Sequence, residues 1–194
     1  MFILNKWLKN ERGLTLVEML AVVVLITAIS IFLFNIIIKA MENSENISIE
    51  TELRDEADII VSKFIKEMYS LHHKDIIYNV TNDSGSYLQI TTDRTKCTKD
   101  VNGLVEKPTE CASTLYPMGI QRDSSSGEYI FVYKNDTYKP SNNIKLESTS
   151  KIIGNPNETS VYELILDLKV AKKRNNEMYV KTMQFTNKVS PITK

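Results

Sequence analysis

The sequence predicts an α+β fold in which a long N-terminal helix packs on a mostly antiparallel β-sheet. An uncharged apolar run extends from Met19 to Ile38. Between Leu53 and Leu71, apolar residues recur at three- and four-residue spacing, which is typical of an amphipathic helix. From Ile76 onward the period changes to two and turn residues multiply, as in hairpins. We therefore expect a globular head carried on a hydrophobic stem.

Length and charge restrict the classes of protein to consider. A chain of 194 residues suits one domain with an appendage. Of its 24 basic and 24 acidic residues, three and one lie in residues 1–13, so the remainder has a formal net charge of −2. Nucleic-acid binding requires a basic excess or a basic face. The overall charge therefore disfavours a nucleic-acid partner without excluding a local basic patch.

Residues 1–13 form a short basic leader, with Lys6, Lys9 and Arg12 against Glu11. Cations next to an apolar run are typical of the cytoplasmic side of a membrane span. The 20 residues from Met19 to Ile38 would rise about 30 Å as a helix, the thickness of a bilayer core. This run is too long for a cleaved secretory signal, and no small-residue cleavage site follows it. A single-pass membrane anchor fits the length.

Glu18 is the carboxylate at the head of this run. Thr15 and Glu18 have the spacing of a capping box, and an acid in the first turn complements the helix dipole. By itself, the position is equally consistent with helix capping and with a functional charge.

The hexapeptide Gly13-Leu-Thr-Leu-Val-Glu18, with a basic leader before it and an apolar run after it, closely resembles the prepilin signal of type IV pilins and pseudopilins. The resemblance implies that prepilin peptidase cleaves between Gly13 and Leu14 and methylates the new N-terminus at Leu14. It also implies that Glu18 pairs with the N-terminal amine of a neighbouring subunit during assembly. A charge buried in a filament core is tolerated only when it is paired.

Two departures from the family pattern favour a minor subunit. Where major pilins often have helix-breaking Gly and Pro, this chain has Thr27 and Asn35, and its first mature residue is Leu14 where Phe is commoner. The resemblance thus implies a minor pilin or pseudopilin of a type IV pilus, competence filament or type II secretion pseudopilus. Its large head suggests a place at the filament tip, in initiation or adhesion.

The implied partners are prepilin peptidase, other pilin or pseudopilin subunits, the cytoplasmic membrane and its assembly platform. The implied localisation is a single-pass protein of the cytoplasmic membrane with its head outside, and then a surface or envelope-spanning filament. The alternative is a membrane-anchored adhesin or sensor that never polymerises and retains residues 1–13.

Four segments follow from these patterns. The leader (1–13) precedes the hydrophobic stem (14–41), an amphipathic helix half (42–73) and a β-rich head (74–194). No Pro or Gly lies between Leu14 and Leu71, so one helix of about 58 residues is expected. The polar residues 42–50 are the place where it would fray or bend.

Strands are predicted in the head from alternation and turn residues. A first hairpin is expected around residues 81–86, and a terminal hairpin around residues 174–176. Residues 93–127 are expected to be irregular, and a turn is expected at Asn135–Asp136. The predicted strands are Ile76–Val80, Tyr87–Thr92, Glu128–Tyr133, Ile144–Ser148, Val161–Val170 and Met178–Thr186.

The sequence offers no catalytic, metal or cofactor motif, so a non-enzymatic protein without cofactors is expected. Cys97 and Cys111 favour one disulfide in an exported domain, with two free thiols as the alternative. The adjacent His72 and His73 diverge on a helix, so a structural role at the helix end is expected. Four tyrosines raise the minor alternative of a binding face: Tyr129, Tyr133, Tyr138 and Tyr162.

Overall fold

The fold is that of a computed structural model of the chain, and it is α+β as predicted. The structure describes residues 16–99, 104–106, 108–134, 136–141, 143–157, 161–174 and 177–192. Two compact units are distinguished, one ending at Ser48 and one beginning at Ile49. The predicted segment boundaries remain predictions.

Helix α1 extends from Leu16 to Ser70. The polar residues 42–50 are helical throughout, so the expected fraying there is wrong. The helix ends earlier than His72, which corrects the placement of the histidines. They follow the helix, and His72 caps a 3₁₀ turn, His73–Asp75, by accepting a hydrogen bond from the backbone N–H of Lys74 at 3.3 Å.

Within the described residues, nine strands and one short helix follow. All strand pairs are antiparallel, and the sheet order is β1-β2-β3-β4-β6-β8-β7, with β5 on β4 and β9 on β8. The elements are β1 (Ile76–Asn82), β2 (Gly85–Thr91), α2 (Pro108–Ala112), β3 (Leu115–Arg122), β4 (Tyr129–Tyr133), β5 (Asp136–Tyr138), β6 (Ile144–Leu146), β7 (Lys151–Ile153), β8 (Tyr162–Arg174) and β9 (Glu177–Val189).

The expectation that residues 93–127 are irregular is wrong, because β3 and α2 lie there. Pro117 is tolerated in β3 because β4 pairs only from Met118 onward, so β3 has a single partner strand at the proline. Gly119 then lets β2 approach closely: a Cβ at this position would lie 2.7 Å from the Tyr87 Cα atom. Proline and glycine ordinarily indicate a loop, but here both lie within a strand.

The other predicted strands are confirmed with altered bounds. β8 and β9 are longer than expected and stay in register from Tyr162–Val189 to Arg174–Glu177. The three-residue β7 was not predicted. The expected turn at Asn135–Asp136 is wrong for Asp136, which begins β5. Asn135 lies outside the described residues.

The second half of α1 packs on the sheet within the unit that begins at Ile49. Its buried side chains recur every three or four residues: Ile49, Leu53, Ala57, Ile60, Val61, Phe64 and Met68. They join the inner faces of the strands in one hydrophobic core. At its centre the Phe64 ring packs edge-on against Phe131, with ring centroids 6.4 Å apart.

Polar pairs connect the edges of this helix to the sheet. Glu52 accepts from Lys172 Nζ at 2.6 Å, and Glu56 accepts from the Tyr138 hydroxyl at 2.5 Å. Burial and the carboxylate of Glu56 raise the pKa of Tyr138. These contacts orient the helix, whereas the apolar face supplies most of the stabilisation.

Candidate functional site

The described part of the stem, residues 16–41, is apolar on every side of the helix. Its large apolar side chains are between 40% and 82% exposed, and none of its residues belongs to a core. A helix that is apolar all round requires an apolar environment, either lipid or other protein. By length and composition, this helix is able to cross a membrane as a single-pass anchor.

The uncharged polar side chains of the stem are satisfied within the helix. Thr27 and Ser30 donate their hydroxyl hydrogens to the carbonyl oxygens of Val23 and Ile26, at 2.7 and 2.8 Å. The Asn35 amide donates to the Ile31 carbonyl at 3.0 Å. Internal hydrogen bonds reduce the cost of placing these polar groups among apolar neighbours. The uncharged run from Met19 to Ile38 is therefore chemically suited to a water-free environment.

Glu18 lies in the first turn of α1 and is the acidic residue of that turn. The dipole of the helix favours a negative charge at this end. Gly13 and Leu14 lie outside the described residues, as does Thr15, the other half of the expected capping box. The cleavage, methylation and charge-pairing assignments stay predictions.

The predicted disulfide is confirmed. Cys97 and Cys111 are bonded, with Cα atoms 4.7 Å apart, and both are buried beside Ile77 in a small second core. The bond connects the loop after β2 to helix α2. It therefore closes the chain between β2 and β3 on itself, which restricts the unfolded state and stabilises this region.

The four tyrosines serve internal packing and do not form one face. Tyr162 is fully buried, and Gly154 lies against its ring. Tyr133 accepts from Lys63 Nζ at 3.0 Å, and Tyr138 donates to Glu56, so both contact helix α1. Tyr129 donates to the Asp83 carbonyl at 3.2 Å. The alternative of a tyrosine-lined binding face finds no common surface here.

Asp75 organises the end of the sheet next to the histidines. It accepts the His72 backbone N–H and the Arg94 Nη2 hydrogen, each at 2.8 Å, and a second guanidinium bond from Arg94 Nε. Burial raises the pKa of Asp75, but the bonds from Arg94 and His72 outweigh it, so the pKa lies below its ordinary value. This carboxylate is a structural junction.

A cavity with cationic walls lies beside that junction, and the sequence did not predict it. Its basic lining residues are His73, Lys74, Arg94 and Lys99, in a space of about 420 Å³. In the sequence they are separated by up to 26 positions with no shared motif. The antiparallel pairing of β1 with β2 and the bonds between Asp75 and Arg94 bring the two segments together.

Among the described residues, no group of three or more His, Cys, Asp or Glu side chains is placed to hold a metal ion. No protein-family model matches the chain, and no match is found among curated proteins or solved structures. The architecture itself, a long N-terminal apolar helix followed by an antiparallel sheet, is compatible with a pilin-like fold.

Proposed function

We propose that this chain is a non-enzymatic minor pilin or pseudopilin of a type IV pilus-like filament. It is inserted in the cytoplasmic membrane through the stem, cleaved after Gly13 by prepilin peptidase, methylated at Leu14, and polymerised through its N-terminal helix. The observation that carries this proposal is the exposed, all-round apolar helix with Glu18 in its first turn.

Physical chemistry explains why such a stem would suit assembly. Apolar contacts between helices are interchangeable and define no register, whereas a charge in a dry environment requires a partner at one place. A free N-terminal amine at Leu14 and the carboxylate of Glu18 supply that pair. Cleavage before the apolar segment leaves the stem on the mature protein, available first to lipid and then to neighbouring stems.

The minor role and tip position are supported by two features. The α1 helix is unbroken from Leu16 to Ser70, with Thr27 and Asn35 bonded into it where major pilins often have helix breakers. The predicted head, residues 74–194, is large for a repeated shaft subunit. We therefore propose a subunit at or near the tip, acting in initiation or adhesion.

The N-terminus of the mature chain tests membership of the family. Intact-mass analysis of the membrane form, with and without an active prepilin peptidase, is expected to give a chain starting at Leu14 with one added methyl group. Without the peptidase, residues 1–13 should remain. A leader retained in the presence of the peptidase would favour the non-polymerising anchor.

Substitution of Glu18 separates charge pairing from helix capping. Glu18→Gln keeps a side-chain hydrogen-bond acceptor and removes the charge, so insertion should persist while incorporation into filaments is lost. Asp58→Asn, an exposed acid on the same helix, is the matched control and should incorporate normally. The readout is the amount of chain in sheared filaments relative to membranes. Normal incorporation of Glu18→Gln would contradict the charge-pairing step.

A further inference from the structure

The cavity beside the disulfide has an excess of positive charge. Arg94 is neutralised by Asp75, through bonds to both carboxylate oxygens. Lys74 and Lys99 form no ion pair with any described residue, and Lys99 Nζ donates instead to the neutral Asn157 side chain at 2.9 Å. Two ammonium charges in the cavity wall are therefore uncompensated by this part of the chain.

Lys99 is the better enclosed of the two. It is half-buried, and burial lowers the pKa of its ammonium group. Desolvation of a cation is unfavourable unless an anion or further hydrogen bonds compensate it. An anion in the cavity would supply that compensation.

The remaining lining combines Thr98 with apolar residues. The partly exposed Pro156, with the nearly buried Ile76 and the disulfide-bonded Cys97, forms the apolar part of the cavity wall. The volume of about 420 Å³ falls within the range of small-molecule sites, about 300–1,000 Å³. A wall of this kind suits a ligand that has an apolar body as well as a charge.

From these observations we propose that the cavity is a binding site for a small organic phosphate monoester. The phosphate dianion contacts Lys74 and Lys99, matching their two charges, and the organic part contacts Pro156. His73 and Arg94 complete the basic wall. This site stands independently of the proposed filament function.

Phenyl phosphate is a suitable probe because it combines an aromatic ring with a phosphate dianion. Calorimetric titration into the full chain in a non-ionic detergent, at low ionic strength, should give saturable binding that weakens with added salt. Inorganic phosphate should bind more weakly because it leaves the apolar wall uncovered, and phenol should not bind. Phenyl phosphate should also protect Lys99 from acetylation, measured by peptide mass spectrometry.

Lysine variants assign the binding to the cavity. Lys74→Met and Lys99→Met each remove one charge-assisted contact, so each should weaken phenyl phosphate binding about tenfold. Lys173→Met, an exposed lysine of β8, is the control and should bind like the wild-type chain. Because Lys99 also contacts Asn157, Lys74→Met provides a variant without that structural contact.

The proposal is overturned by any of three results. These are no saturable binding by the wild-type chain, equal binding of inorganic and phenyl phosphate, or unchanged binding in both cavity variants. Loss of binding in Lys74→Met and Lys99→Met with retention in Lys173→Met supports it. Circular dichroism and an intact disulfide by mass confirm that each variant is folded.

Discussion

Single polar side chains connect distant parts of the globular unit. The Ser86 hydroxyl accepts the Ile152 backbone N–H at 2.9 Å, so β2 bonds the edge of β7 that does not pair with β8. The Asn79 amide donates to the carbonyls of Ile152 and Gly154. Buried backbone groups are costly when left without partners, so each bond satisfies a group that the short strand β7 leaves unpaired.

Asp75 gives the first prediction at this scale. Because its pKa is lowered in the folded state, its contribution to stability is present above the unfolded-state pKa of about 3.9 and is lost as pH falls. Asp75→Asn should lower the free energy of unfolding by about 1–2 kcal/mol at pH 7, since Arg94 is partly solvated. Urea unfolding should show this difference shrinking toward pH ~2. Asp58→Asn, at an exposed site, should show little effect at either pH.

Gly119 gives the second prediction at the scale of single residues. Its φ of +146° and the backbone of β2 leave no room for a side chain, because a Cβ would lie 2.7 Å from the Ser86 carbonyl oxygen. Gly119→Ala should therefore destabilise the chain by more than about 2 kcal/mol. Gly127 also has a positive φ, +70°, but its nearest neighbour is 3.7 Å away, so Gly127→Ala should cost about 1 kcal/mol. Equal urea midpoints for the two variants would show that the close approach of β2 to Gly119 does not add to the loss of stability.

At the scale of elements, helix α1 has two chemically different halves. Residues 16–41 are apolar on every side, whereas the segment from Ile49 to Ser70 buries one stripe and exposes charges on the others. The first pattern requires a surrounding apolar medium, and the second requires a single apolar surface such as a sheet. A continuous helix thus serves two environments without a change of secondary structure.

Phe64 tests the packing of the second half. It is fully buried and contacts Phe131, so Phe64→Ala should lower the free energy of unfolding by about 3–5 kcal/mol. Ile59, which is 40% exposed on the same helix, is the control, and Ile59→Ala should cost well under about 1 kcal/mol. Thermal unfolding followed by circular dichroism is the measurement. Similar losses for the two variants would indicate that this helix face does not contribute to the core.

At the scale of the whole molecule, the globular unit contains all of its own core. Both hydrophobic clusters lie between Ile49 and Val189, and none of the described stem residues, 16–41, contributes to either. The cohesion of this unit therefore does not depend on the apolar half of α1.

A fragment beginning at Ile49 should accordingly fold and remain soluble without detergent. Its thermal midpoint should match that of the detergent-solubilised full chain, because both hydrophobic clusters of the described residues lie within the fragment. Analytical ultracentrifugation should show a monomer, since the exposed apolar stem is absent. Aggregation of the fragment, or a midpoint far below that of the full chain, would mean that the stem supports the fold of the head.

Periodicity was sufficient to predict the helix and the two hairpins, because burial of one face imposes a repeat of 3.6 or 2 residues on apolar positions. Periodicity failed to predict β3, because Pro117 and Gly119 are compatible with a strand only through the way its partner strands pair with it. It also missed β7, whose three residues are too few for a pattern and whose place depends on Ser86 and Asn79.

The structure decided that the two cysteines are bonded, since the sequence left free thiols as the alternative. The sequence by itself determined the α+β class and the apolar stem with Glu18 at its start. These properties depend on local composition and spacing, which act over a few turns of chain. Only the tertiary structure showed that Lys74, Arg94 and Lys99 line one cavity, because the pairing of β1 with β2 and the Asp75–Arg94 bonds bring their two segments together. Contacts between residues far apart in sequence are set by packing, and no local pattern records them.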